Sequence, residues 1–174
     1  MTKTVTGVFL SRFSPLHKGH QLVIDKMIAD FGSKNCLLII GSSTSVNSRT
    51  PYTLAKRKAM LKTLYPKIKI LTIPDVNPKK NYFGQETLTE WLGNLKKLER
   101  RQNTEFVFYG GSKKDVSYLN KEFKTLVAVN RKVTNISATN VRKALETNDL
   151  KVLERYLDKR IIPVAKRVYS KIKS

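Results

Sequence analysis

Five short apolar runs, each separated from the next by a stretch of helical periodicity, constrain this chain more than any other feature. They are 4–11 (TVTGVFLS), 35–43 (NCLLIIGSS), 67–74 (KIKILTIP), 105–111 (EFVFYGG) and 124–130 (KTLVAVN). Between the first two, Ile24, Met27, Ile28 and Phe31 fall at i, i+3, i+4 and i+7, which predicts a helix over 18–31 with one buried face. Residues 53–65 read as a second helix with Thr53 at its N-cap. A third, over 84–101, carries Leu88, Trp91, Leu92 and Leu95 on one stripe, and a short helix is expected between the last two strands. From Ser137 onward the chain reads as helical, with a break before Pro163.

Strands that are apolar almost throughout, alternating with helices, indicate a parallel sheet covered on both faces. The expected fold is therefore α/β: a Rossmann-like, doubly wound parallel sheet with a helical C-terminus. Its 174 residues suit a single domain over 1–174, and no repeat or linker divides them. The one cysteine, Cys36, lies inside an apolar run. That implies a buried thiol in a reducing compartment and excludes a disulfide framework or a cysteine-based metal site. No signal-like or membrane-spanning run is visible, so a cytoplasmic location is expected.

Sheets of this kind bind ligands beyond the carboxyl ends of their strands. The loop after the first strand, SRFSPLHKGH (11–20), places His17, Lys18 and His20 where a helix begins. A helix amino end carries roughly +0.5 of an elementary charge, so three potential cations there call for an anion between them. Gly19 lets the backbone approach a ligand, and the two histidines, three residues apart, can face one bound group. They are the only histidines in the chain, so a zinc-type site lacks its third ligand. A nucleophile–base pair is equally unsupported, because no serine or cysteine sits at a recognisable elbow.

A second segment, ISATNVRKAL (136–145), repeats the anomaly. Ser137 or Thr139 can cap a helix whose first turns carry Arg142, and hydroxyls, free N–H groups and a guanidinium together make an anion site. Between the two lies GSSTSVNSRTPYT (41–53), where small hydroxyl residues and Arg49 could hold another phosphate. The chain carries 34 Lys plus Arg against 13 Asp plus Glu, a net charge of +21. Such a balance fits a phosphate-bearing partner. With no RNA-binding or zinc-finger motif, nucleotides rank ahead of nucleic acid, which the charge still leaves open.

HKGH followed by ISATNVR resembles the HxGH nucleotidyltransferase superfamily. Class I aminoacyl-tRNA synthetases share the first loop, but this chain has no KMSKS-type signature. Further segments are similar to nicotinamide-mononucleotide adenylyltransferases, specifically the branch sometimes fused to a Nudix hydrolase, whose box does not follow here. GRFxPxHxGH of that branch stands here as SRFSPLHKGH with Ser11 for glycine, RxPF-TxxER as RTPYTLAKR, and GxxKDxSxYL as GGSKKDVSYL (110–119).

The resemblance implies transfer of AMP from ATP to nicotinamide mononucleotide, giving NAD and pyrophosphate, with Mg²⁺ riding on the phosphates rather than in a protein cage. It implies catalytic roles for His17, His20 and Arg142, and ATP contacts at Arg12, Phe13, Ser14, Gly19, Gly110, Ser137 and Thr139. Acceptor contacts fall to Ser42, Arg49, Asp75, Asn81 and Trp91. The base pocket departs from the family. Leu88 stands three residues before Trp91 where asparagine belongs, and Trp91 suits a core stripe and a stacking role alike, with Tyr82 and Phe83 as further pocket residues. The acceptor could thus be the nicotinate form or another phosphate ester such as phosphopantetheine. A homo-oligomer is open, and no membrane partner is expected.

Overall fold

The computed structural model describes residues 4–76, 85–128 and 136–172. Five parallel strands form one sheet in the order β3-β2-β1-β4-β5: β1 (Thr4–Ser11), β2 (Cys36–Ile40), β3 (Lys69–Thr72), β4 (Thr104–Gly110) and β5 (Lys124–Val127). Strand order reverses between β1 and β4, so the carboxyl ends of those two strands open the crevice that such sheets use for ligands. The α/β doubly wound expectation holds.

Alternation along each strand divides the core in two. Phe9, Cys36, Leu38, Ile40, Val107 and Tyr109 face one side; Val8, Leu37, Ile39, Phe106 and Phe108 face the other. The first side is covered by α1 (Lys18–Phe31), α2 (Leu54–Leu64) and the C-terminal helices α5 (Ala138–Glu146), α6 (Leu150–Tyr156) and α7 (Ile162–Ile172). The second is covered by α3 (Gln85–Gln102), which sends Trp91 and Leu95 inward. A short α4 (Lys113–Val116) and the segment after it add Leu119 and Phe123 to the same side. Such two-sided burial is why the strands read as unbroken apolar runs.

Boundaries moved where local chemistry overrode pattern. β2 ends at Ile40 rather than at 43, because Ser42 takes a left-handed φ of 47° that no strand accommodates. β3 is shorter than 67–74, although Ile73 N still donates to Ile40 O at 3.0 Å. The C-terminal region breaks twice, at Asn148 (φ 52°) as well as before Pro163, which sits in the first turn of α7. Thr53 caps α2 as expected, accepting from Lys56 N at 3.4 Å. Cys36 is a buried free thiol whose pKa is pushed up to about 11 by burial first and then by Asp30. No described helix is long and apolar enough to cross a membrane.

Gly110 closes β4 against α4: a Cβ there would lie 2.4 Å from Val116 Cγ1. Gly110→Ala should therefore destabilise the fold by about 1–3 kcal/mol, the usual cost of overpacking. Urea titration of Gly110→Ala, Val116→Ala and the double variant should return a favourable coupling energy, since the second change removes the clashing atom. Strictly additive effects would contradict this packing.

Candidate functional site

The loop after β1 is anchored from below by Phe13, fully buried at φ 50° and set edge-on to Phe9 (5.4 Å between centroids) and tilted against His20 (5.1 Å). His17 is the N-cap of α1, and the two histidines cap each other. His17 Nδ1 accepts from His20 N–H and His20 Nδ1 accepts from His17 N–H, each at 3.3 Å, with the rings stacked 3.6 Å apart. This is a capping box built of imidazoles instead of hydroxyl and carboxylate. Because both Nδ1 atoms accept, the neutral rings carry their protons on Nε2. His20 Nε2 accordingly donates to Ser11 Oγ at 3.0 Å.

The reciprocal cap satisfies the amino end of α1 through Nδ1 and leaves the Nε2 side of each ring for other partners. The imidazoles are acceptors at the helix amino end rather than cations. Lys18 leaves the site altogether: its Nζ donates to Glu154 O at 2.7 Å, in the last turn of α6. Gly19 also sits in a close approach of chain segments. A Cβ there would stand 3.1 Å from the His17 ring and 3.5 Å from Ile136 O, so the two motif segments touch at this point.

The second anomaly behaves otherwise. Ser137 is the N-cap of α5, its Oγ accepting from Asn140 N at 3.2 Å. Arg142 turns back across the first loop, donating from Nη1 to Ser14 O (3.1 Å) and from Nη2 to Thr139 Oγ1 (3.3 Å). It also reaches Arg49 O at 3.5 Å. The guanidinium of Arg12 is held below its ordinary pKa by partial desolvation first, and then by Arg49 and Arg142, although the residue remains solvent-exposed. Arg49 and Arg142, from two other segments, thus both bear on the Arg12 guanidinium.

Asp75 opposes them, and its carboxylate is fixed by Ser42 Oγ (2.9 Å) and Ser45 Oγ (2.7 Å). Tyr118, beyond α4, also lies within reach of Arg12. Burial and Asp115 push its hydroxyl up to about 12 while Arg12 pulls the other way. Ser14 Oγ is buried with no hydrogen-bond partner among the described residues. One more polar group in this loop therefore awaits a partner. Two open depressions of about 250 and 270 Å³ lie elsewhere, beside Lys96 and Phe123 and between α5 and α6; neither is lined by these residues.

Residues 8–160 match the family described as cytidylyltransferase-like, which spans both motif segments. The chain belongs to that HxGH nucleotidyltransferase family.

Among solved structures it is similar to the NadR protein in complex with NAD and AMP-PNP, at 24% identity and a TM-score of 0.58. That match covers 83% of this chain but 43% of NadR, so the chain spans less than half of that relative's length. It is similar along nearly its full length to the Plasmodium falciparum nicotinic acid mononucleotide adenylyltransferase complexed with NaAD. There the identity is 18%, the TM-score 0.59, and the coverage 98% and 96% of the two chains. Thermotoga maritima TmcAL bound with alpha-thio ATP shares the fold at 12% identity and a TM-score of 0.62, covering 97% of this chain and 56% of that one. No curated protein sequence matches.

Within this cytidylyltransferase-like domain the expected residues separate into two groups. His17, His20, Ser14, Arg12, Arg49, Ser137, Thr139, Arg142, Ser42 and Asp75 are brought to one rim of the sheet by contacts and charge coupling. The side chain of Phe13 is buried beneath the loop, and Gly110 makes room for Val116. Trp91 is only 6% exposed, in the core beneath α3, with its ring 5.8 Å from that of Tyr118, so its place on the apolar stripe decides its surroundings. Asn81, with Tyr82 and Phe83, lies outside the described residues. Missing from the expected set is Arg57, fully buried on α2 beneath the rim.

The histidine cap makes a separable prediction. His17→Ala should cost about 0.5–2 kcal/mol, the usual loss for an N-cap acceptor. His17→Asn, which restores an acceptor but not a ring, should recover most of it in a urea titration. Equal stability of all three proteins would refute the cap.

Proposed function

We propose that this chain transfers the adenylyl group of ATP to nicotinamide mononucleotide, releasing pyrophosphate and forming NAD. The observation that carries the reading is the convergence of Arg12, Arg49 and Arg142 on the HxGH loop, opposed by Asp75. Guanidiniums gathered at a strand-end crevice favour a ligand with several negative charges. The motif order over the chain and the nucleotide complexes of the similar folds point the same way.

The chemistry asks little of a base. The acceptor's 5′-phosphate is already ionised near neutral pH, so one of its oxygens attacks the α-phosphorus directly. The bond between the α-phosphorus and the bridging oxygen breaks, and the electron pair leaves with pyrophosphate. What the protein supplies is alignment of two anions and stabilisation of charge on the departing group. In this assignment Arg142, Ser137 and Thr139 hold the β and γ phosphates from the amino end of α5. Nε2–H of His17, and Nε2–H of His20 once it exchanges Ser11 Oγ for the ligand, serve as donors toward the transferring phosphate, since Nδ1 is engaged in the cap. Ser14 Oγ gains its missing partner from the nucleotide. Arg12 and Arg49 face the phosphates, with Ser42 and Asp75 on the acceptor side.

Mg²⁺ enters as part of the nucleotide substrate and neutralises phosphate charge. Among the described residues no three His, Cys, Asp or Glu side chains gather to hold a metal ion, so this chain's part is to grip the phosphates.

Purified protein with ATP, Mg²⁺ and a panel of acceptors (nicotinamide mononucleotide, nicotinate mononucleotide, phosphopantetheine) should release pyrophosphate fastest with the first, with NAD as product by chromatography. His20→Ala and Arg142→Ala should each lower turnover by about 10²–10³, the cost of losing one preorganised donor. Folded protein that yields neither dinucleotide would remove the proposal. Faster reaction with the nicotinate form would keep the chemistry and change the acceptor.

A further inference from the structure

We infer that Arg57 is a positioning residue that holds the two loops of the proposed phosphate site in their left-handed backbone form. The inference rests on the nucleotide-binding reading above. Arg57 is fully buried, and its fork engages four carbonyls of the strand-end loops. Nη1 donates to Arg12 O (3.2 Å) and Gly41 O (2.9 Å), while Nη2 donates to Ser42 O (2.9 Å) and Ser43 O (3.4 Å). One guanidinium therefore ties the loop after β1 to the loop after β2.

The positions it grips carry the backbone strain. Phe13, directly after Arg12, has φ 50°, and Ser42, directly after Gly41, has φ 47°. Both are non-glycine residues in the sparsely allowed left-handed region. A trans peptide points its C=O and N–H in opposite directions. Drawing the carbonyls of Arg12 and Gly41 down onto Arg57 thus turns the N–H groups of Phe13 and Ser42 away from the guanidinium. The same grip fixes where the Arg12 side chain departs, and it sets Ser42, whose hydroxyl holds Asp75 at 2.9 Å.

Lysine cannot replace this. It offers three donors from one point, whereas the planar fork of arginine reaches carbonyls of two separate loops. The arginine also keeps its charge without a direct carboxylate partner among the described residues. Burial lowers its pKa, Asp75 acts in the opposite sense, and the hydrogen bonds that hold it go to carbonyls.

A residue that only filled the core would change stability and leave the affinity of the folded protein untouched. A positioning residue changes that affinity. The test is calorimetric titration of AMP-PNP into the wild type, Arg57→Lys and Arg57→Ala, each first shown to be folded by circular dichroism. The wild type should bind, folded Arg57→Lys should bind at least tenfold more weakly, and Arg57→Ala should regain affinity with millimolar ethylguanidinium but not with ethylammonium.

Binding by Arg57→Lys within twofold of the wild type would overturn the inference while leaving the proposed function intact. Failure of both variants to fold would make Arg57 a stability residue and overturn it as well. A wild type that binds no nucleotide would remove the proposed function, and this inference with it.

Discussion

Where a parallel strand ends, its last carbonyls lose the neighbouring strand that would have donated to them, and a buried backbone acceptor without a donor is costly. In this protein the carbonyls just past β1 and β2 are met from below by a single arginine on α2. Everything else at the rim builds on that arrangement. Ser11 O accepts Gly41 N at 3.0 Å, locking the two loops side by side, and Ser42 and Ser45 then hold Asp75 opposite the exposed arginines. The C-terminal helices close over the first loop from the other side through Arg142 to Ser14 O and Lys18 to Glu154 O. Tyr52, in the loop between β2 and α2, adds a bond to Ala165 O at 3.0 Å. The two loops are thus held by hydrogen bonds to backbone, while Asp75 is held by the hydroxyls of Ser42 and Ser45.

The fold was legible because two-sided burial leaves a plain trace: strands with no polar alternation, separated by stripes of period 3.6. The two motif segments were equally visible, since both histidines of the chain fall in four residues. Their physical role was not. A histidine before a helix reads as a cation to be neutralised, and only the geometry reveals two neutral rings accepting from each other's backbone. Lys18 misled for the same reason: its partner lies 136 residues away, at the end of a helix that the sequence does not connect to it.

Arg57 was overlooked although the sequence does mark it. Leu54, Leu61 and Leu64 define the apolar stripe of α2, and Arg57 falls on it, three residues after the first and four before the second. A charged residue on a buried stripe calls for buried partners, but Arg57 enters the sequence reading only as the last residue of RTPYTLAKR, with no role attached. The end of β2 escaped for a related cause, since the left-handed turn at Ser42 is imposed by the loops around it rather than by a local glycine. Trp91 went the other way: the periodicity that placed it on the core stripe was a sufficient description of its surroundings.

That last placement has a spectroscopic side. Trp91 is the chain's one tryptophan, and it shares a buried cluster with Phe106 and Phe108 on the sheet face opposite α1 and α5. Its ultraviolet emission is therefore an intrinsic gauge of how well α3 stays seated on the sheet. The imidazole pair and Arg142 belong to α1 and α5, in the layer on the other face of the sheet.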